Sequence, residues 1–263
     1  MPSQRQQQGF SLVELSVVVA IIAVIAVMGL DTIATFVGRT AYQSTQDKMA
    51  VIKVALAKHR YVYGYLPCPA DPNASPISAG YGKESRSASL GCNNAGALNS
   101  TLSSGNITNN SILFGDLPVR DLELPLSYMK DGYGSRLRYV VVSGLTTANN
   151  FASTADGIVI RTGQLESTCA TVCQDVSAAS YVVLSFGADK RGSSGGLPCV
   201  PSSSYANMID SANCQFNSGA SPSYSITTPT ITPGIFYDSR YSTGSVAANH
   251  DDDIILWQSK GQL

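Results

Sequence analysis

The sequence predicts an α+β protein: a long N-terminal helix, transmembrane in its first half, packed against an antiparallel β-sheet head with long disulfide-bearing loops. Three observations predict it. From Phe10 to Leu30 the only charge is Glu14, and about 20 apolar residues suffice to cross a bilayer. Residues 31–63 contain no proline and a single glycine, Gly38, so nothing interrupts a continuing helix. Beyond them come short β-branched and aromatic runs separated by Gly, Ser, Asn and Asp, the pattern of an antiparallel meander.

The helix is expected over residues 10–63, which at 1.5 Å per residue is roughly 80 Å. In its second half Ile52, Ala55, Leu56, His59 and Val62 recur at helical spacing and define the face that packs under the head. His59 belongs to that face as a core residue. Lys48, Lys53, Lys58 and Arg60 fall elsewhere and read as a solvated helix surface. Gly64 and Leu66-Pro67 supply the stop.

The head is expected over residues 64–263. Cys68 to Asn110 is rich in Ser, Asn, Gly and Ala with no sustained period, and reads as a long loop. Strands are expected at Leu137–Val142, Gly157–Arg161, Tyr181–Phe186 and Ile254–Trp257. Gly192 to Asn249, rich in Ser, Tyr and Pro, is expected as an insertion between the last two, held by Cys199 and Cys214.

The six cysteines, Cys68, Cys92, Cys169, Cys173, Cys199 and Cys214, all follow the apolar run. An even number in an exported domain points to disulfides. The six allow fifteen pairings; pairing between sequence neighbours, Cys68 with Cys92, Cys169 with Cys173 and Cys199 with Cys214, is the simplest expectation. Zinc fits less well, because Cys169 and Cys173 have no second close pair and the two histidines, His59 and His250, stand far away.

Composition excludes several function classes. A net charge of −1 with 13% charged residues gives no bulk attraction to nucleic acid. There is no phosphate-binding glycine loop and no H-E-x-x-H. Two distant histidines leave few nucleophile and base pairs. The chain does not read as an enzyme.

Three readings compete for the N-terminus. A cleaved secretory signal needs a positive start, an uncharged core and a small-residue cleavage site; here Arg5 is the one leader charge, Glu14 lies in the core, and Gly29-Leu30-Asp31 is no such site. A plain anchor is long enough but leaves Glu14 unexplained, and a carboxylate in an apolar helix costs about 2.5 to 3.5 kcal/mol near the bilayer centre. The third reading rests on Gly9-Phe10-Ser11-Leu12-Val13-Glu14, which resembles the processing motif of type IV pilins and pseudopilins.

That resemblance implies a leader over residues 1–9, removed by prepilin peptidase after Gly9, and methylation of the new N-terminal Phe10. Residues 10–30 would be membrane span first and filament core later. It also accounts for Glu14, which can meet the cationic amine of Phe10 on a neighbouring subunit, each charge compensating the other in a low-dielectric core. The implied protein is an inner-membrane precursor that becomes a subunit of a periplasmic or extracellular filament, built with other pilins. The alternative is a minor or tip pilin, with Ser202 to Tyr241 as an adhesive surface.

A second resemblance lies in Asp131-Gly-Tyr-Gly-Ser-Arg-Leu-Arg-Tyr139, Ser185-Phe-Gly-Ala-Asp189 and Asp251-Asp-Asp-Ile254, similar to successive landmarks of the major pseudopilin of type II secretion. There the corresponding loop binds calcium. The resemblance implies Ca2+ on Asp189, Asp251, Asp252 and Asp253, chemistry that a hard cation seeking 6 to 8 oxygen ligands allows. Alternatively, the three successive aspartates form a solvated turn before the last strand.

Overall fold

The computed structural model describes residues 12–86, 91–92, 96–98, 112–162, 176–188, 190, 235–238 and 253–263; side chains of residues 25–35, 96–98, 161–162, 176–177, 235 and 237–238 are outside the description. The chain divides into two compact units, Met1–Ala41 and Tyr42–Leu263. Helix α1, Leu12–Tyr63, has residues in both.

In the first unit the described apolar side chains are exposed on every side of the helix, from Leu12 at 86% to Val24 at 56%. Among the described residues no helix is long and apolar enough to cross a membrane. The described side chains of the apolar run end at Val24.

In the second unit α1 buries Thr45, Met49, Ile52, Ala55, Leu56 and His59, which fall on one stripe of the helix, each with another of the set three or four residues away. Val62, expected on that stripe, is 59% exposed. Burial stops at His59, one turn before the helix ends. The end itself is set by Gly64, whose φ of +83° is readily reached only without a Cβ. Its N–H donates to the Arg60 carbonyl at 2.9 Å, closing the helix with a left-handed cap.

The stretch read as one long loop from Cys68 carries pairing of its own. Ala70 forms isolated bridges with Glu84 and Asp116, Arg86 bridges Cys92, and β1, Gly96–Leu98, pairs with β2, Ile112–Asp116. Cys68 and Cys92 form a disulfide across this segment. Ala70 lies so close to β2 that a Cβ on Gly115 would fall 2.3 Å from the Ala70 carbonyl oxygen.

The remaining strands are β3, Arg138–Val142; β4, Ile158–Thr162; β5, Val176–Ala179; β6, Tyr181–Ser185; β7, Ile235–Asp238; and β8, Ile254–Gln258. A short helix α2, Ala148–Phe151, lies between β3 and β4. Five strands make an antiparallel sheet in the order β1-β2-β3-β6-β8, with Phe114 opposite Val140, Val140 opposite Val182, and Val182 opposite Trp257.

Two sequence expectations need correction here. The strand expected at Gly157–Arg161 does not join that meander; as β4 it centres a second sheet, ordered β5-β4-β7. That sheet is not purely antiparallel, because β4 and β7 run parallel, with Ile160 opposite Phe236. A parallel neighbour needs a long crossover, and the many residues between β4 and β7 provide one. Residues 235–238, expected as part of an insertion, are therefore a sheet strand.

One core joins helix and sheets, with Ile52 and Leu56 of α1, Val140 and Val142 of β3, Val182 and Leu184 of β6, and Ile160 and Phe236 of the second sheet all fully buried. Every residue of β3 and β6 is buried. These central strands are covered on both faces, which is why they read as continuous apolar runs instead of alternating ones. Tyr139 and Tyr181 enter the core by pairing their hydroxyls, Tyr139 to the Pro67 carbonyl at 3.3 Å and Tyr181 to Gln258 Oε1 at 2.7 Å.

Candidate processing and assembly segment

Gly9 and Phe10 lie outside the described residues. Glu14 lies in the first described turn of α1, exposed to solvent. Around it Leu12, Val13, Leu15, Val17 and Val18 are all exposed. The arrangement is a single accessible anion set in an apolar helix surface. In a dry contact with another chain such a charge needs a cation, because an uncompensated buried carboxylate costs several kcal/mol.

The cysteines and acidic residues divide in the same way. Cys68 and Cys92 are bonded to each other, whereas Cys169, Cys173, Cys199 and Cys214 lie outside the described residues. Asp189, Asp251 and Asp252 do too. Asp253 is described, 8% exposed, at the entry to β8. Because Ile254 pairs with Ser185, the strand register brings that entry to the end of β6. No group of three metal-ligating side chains occurs among the described residues.

At this end of the sheet lies a turn whose structural role the sequence reading missed. Asp131 is 3% exposed. Its Oδ1 accepts the N–H groups of Tyr133 at 2.9 Å and Ser135 at 2.8 Å, and its Oδ2 accepts the Ser185 hydroxyl at 2.7 Å. Burial nevertheless pushes its carboxyl above the usual range.

Helix α1 grips the same turn. Thr45 Oγ1 accepts the Gly132 N–H at 2.9 Å, and Lys48 Nζ donates to the carbonyls of Ser127, Lys130 and Asp131 at 3.2, 2.7 and 3.3 Å. Lys48 is therefore not part of a solvated basic face. Lys58 is, 60% exposed and paired with Glu123, while Arg60 stacks on Phe151 at 3.9 Å. The available signal was the angular position of Lys48, one residue before the buried Met49.

A second buried polar group crosses β2 and β3. Asp116 and Arg138 are 1% and 3% exposed; Arg136 Nη1 reaches Asp116 Oδ2 at 2.9 Å and Arg138 Nη1 stands 3.5 Å from Oδ1. Two guanidiniums on one carboxylate satisfy the pairing that a buried charge requires. None of these groups is arranged as a nucleophile with a base.

Comparison with known families places the prokaryotic N-terminal methylation motif on residues 4–30. No curated protein and no solved structure matches the chain significantly. The matched segment holds Gly9, Phe10 and Glu14 and runs into the described start of α1. The motif implies processing by prepilin peptidase and points to a structural protein. Its N-terminal segment makes the chain pilin-like: residues 4–30 are the prepilin-type motif that type IV pilins and pseudopilins carry.

Proposed function

We propose that this chain is the precursor of a filament subunit, cut after Gly9, methylated on Phe10, held in the inner membrane by residues 10–30, and polymerised through α1. The observation that carries the proposal is the methylation motif on residues 4–30, continuous with a helix whose described apolar residues, Leu12 to Val24, are exposed on all sides. An apolar helix surface without a core of its own needs lipid or other helices. Glu14 then pairs with the amine of Phe10 on the adjacent subunit and fixes the register of assembly.

The outer face of α1 in the second unit supports the same reading. Val51, Val54 and Tyr61 are 41%, 69% and 90% exposed, a stripe opposite the buried one and suited to neighbouring helices. In this proposal residues 64–263 form the head on the filament surface. Ca2+ on Asp189 and Asp251 to Asp253 belongs to the proposal as well, supported by the register that sets the entry to β8 beside the end of β6.

Mass spectrometry of assembled material tests processing. The expected mature chain begins at methylated Phe10; a chain retaining Met1, or cut after the apolar run, overturns the reading. Glu14→Ala is expected to insert in the membrane and fail to polymerise, and normal filament yield would refute the pairing. For calcium the measurement is the melting temperature in Ca2+ and in chelator, with Asp252→Ala/Asp253→Ala as control. Equal behaviour of the two proteins removes the ion from the account.

A further inference from the structure

The disulfide between Cys68 and Cys92 joins two sulfur atoms in unlike surroundings. Cys68, just past the end of α1, is 0% exposed. Cys92 is half-buried and follows the exposed Gly91. A reagent in solution therefore meets Cys92 while the fold stays closed, and does not meet Cys68.

Each cysteine is also held by contacts other than the bond. The Cys68 N–H donates to Glu84 Oε2 at 3.0 Å, and Arg86 grips Glu84 through two contacts of 2.9 Å. Arg86 in turn forms an antiparallel bridge with Cys92 and donates from Nη1 to the Thr146 carbonyl at 2.9 Å. Its guanidinium carbon lies 4.4 Å from the centroid of the Tyr65 ring, which fixes it against the chain leaving α1. Thr146 Oγ1 stands 3.3 Å from Cys92 Sγ, while its hydroxyl donates to the Ser143 carbonyl at 2.7 Å. These contacts run from one cysteine to the other without passing through sulfur. They keep the two side chains as neighbours when the bond between them is open.

We propose that Cys92 Sγ is the site at which this disulfide exchanges with low-molecular-mass thiols and disulfides, and that Cys68 is the buried thiol that resolves the mixed disulfide. In the opening direction an external thiolate attacks Cys92 Sγ. A bond forms between those two sulfurs, the bond from Cys92 to Cys68 breaks, and its electron pair leaves on Cys68 Sγ, which takes a proton from water. In the closing direction the Cys68 thiolate attacks Cys92 Sγ of the mixed disulfide and expels the external thiolate. Starting from two thiols, the Cys92 thiolate first opens an external disulfide; the two electrons given up by the pair end on that disulfide, which departs as two thiols.

Exchange rates depend on which sulfur the attacker can reach. Burial closes the route through Cys68, and the Glu84 and Arg86 contacts hold Cys68 where it can attack Cys92. The assignment does not depend on the filament reading, since it uses only the head.

The test uses the oxidised full chain in detergent, treated with reduced glutathione below its unfolding transition and quenched in acid, with the adduct located by mass mapping of fragments. Glutathione is expected on Cys92 in at least about tenfold excess over Cys68. Equal adducts, an excess on Cys68, or reduction no faster than global unfolding overturns the proposal. A second measurement uses glutathione disulfide. The thiol left in Cys68→Ser is expected to form a mixed disulfide at least about tenfold faster than the thiol left in Cys92→Ser, and at an equal rate once both chains are denatured. A difference that survives denaturation belongs to neighbouring residues instead of burial and also overturns the proposal. If either variant does not fold, the parent measurement decides alone.

Discussion

Replacing Asp131 by alanine removes one acceptor group that serves three donors, the Tyr133 and Ser135 amides and the Ser185 hydroxyl. A buried donor left without a partner costs about 1 to 3 kcal/mol. Ser135 is 6% exposed and its amide gains no water, whereas Tyr133 is half-buried and its amide is partly rehydrated. Removing a carboxylate that burial already disfavours returns part of the loss. The net expectation is about 3 kcal/mol for Asp131→Ala. Asp131→Asn keeps an oxygen for the two amides and turns its amide nitrogen toward the Ser185 oxygen, so about 1 kcal/mol is expected.

For a head of this size 1 kcal/mol shifts the melting temperature by about 2 to 4 °C, so the alanine variant should melt roughly 6 to 12 °C lower. Trp257, the only tryptophan, lies on β8 opposite Val182. Its fluorescence during thermal unfolding in detergent reports the central sheet. A loss below about 1 kcal/mol for alanine, or equal losses for alanine and asparagine, would refute the claim that this carboxylate organises the turn.

Three further outcomes are expected. Cys68→Ser/Cys92→Ser opens a loop with a sequence separation of 24 and should cost on the order of 3 kcal/mol by chain entropy; a chemical denaturation midpoint unchanged from the oxidised parent would contradict this. Gly115→Ala places a methyl 2.3 Å from the Ala70 carbonyl, and because backbone cannot yield like a side chain, a loss of about 2 kcal/mol or more is expected, with faster exchange of the Ala70 and Asp116 amides. Gly64→Ala places its Cβ in ordinary van der Waals contact, 3.8 Å from Ala148, but must hold φ at +83°. A loss of about 1 kcal/mol in melting experiments follows from that strain, and a neutral or stabilised variant would show that the cap relaxes.

The sequence alone determined the two ends of the problem. Gly9-Phe10 with Glu14 in register is a local chemical signature, legible because the methylation motif is written in adjacent residues of one short segment. The end of α1 was equally local, because Gly64 acts through its own φ. The apolar runs of β3, β6 and β8 announced themselves through side chains that must leave water.

Only the tertiary structure decided what these pieces touch. Periodicity says that Ile158–Thr162 is a strand but not that Ile235–Asp238 lies parallel to it, since register between distant segments leaves no trace in either one. The β2 strand was missed because Gly115 breaks its pattern, and the need for glycine there is the Ala70 backbone, which arrives from a segment 45 residues earlier. Lys48 looked like Lys58 along the helix. What separates them is that carbonyls of Ser127, Lys130 and Asp131 meet one while the exposed Glu123 carboxylate pairs with the other, a difference that arises when the chain folds back on itself.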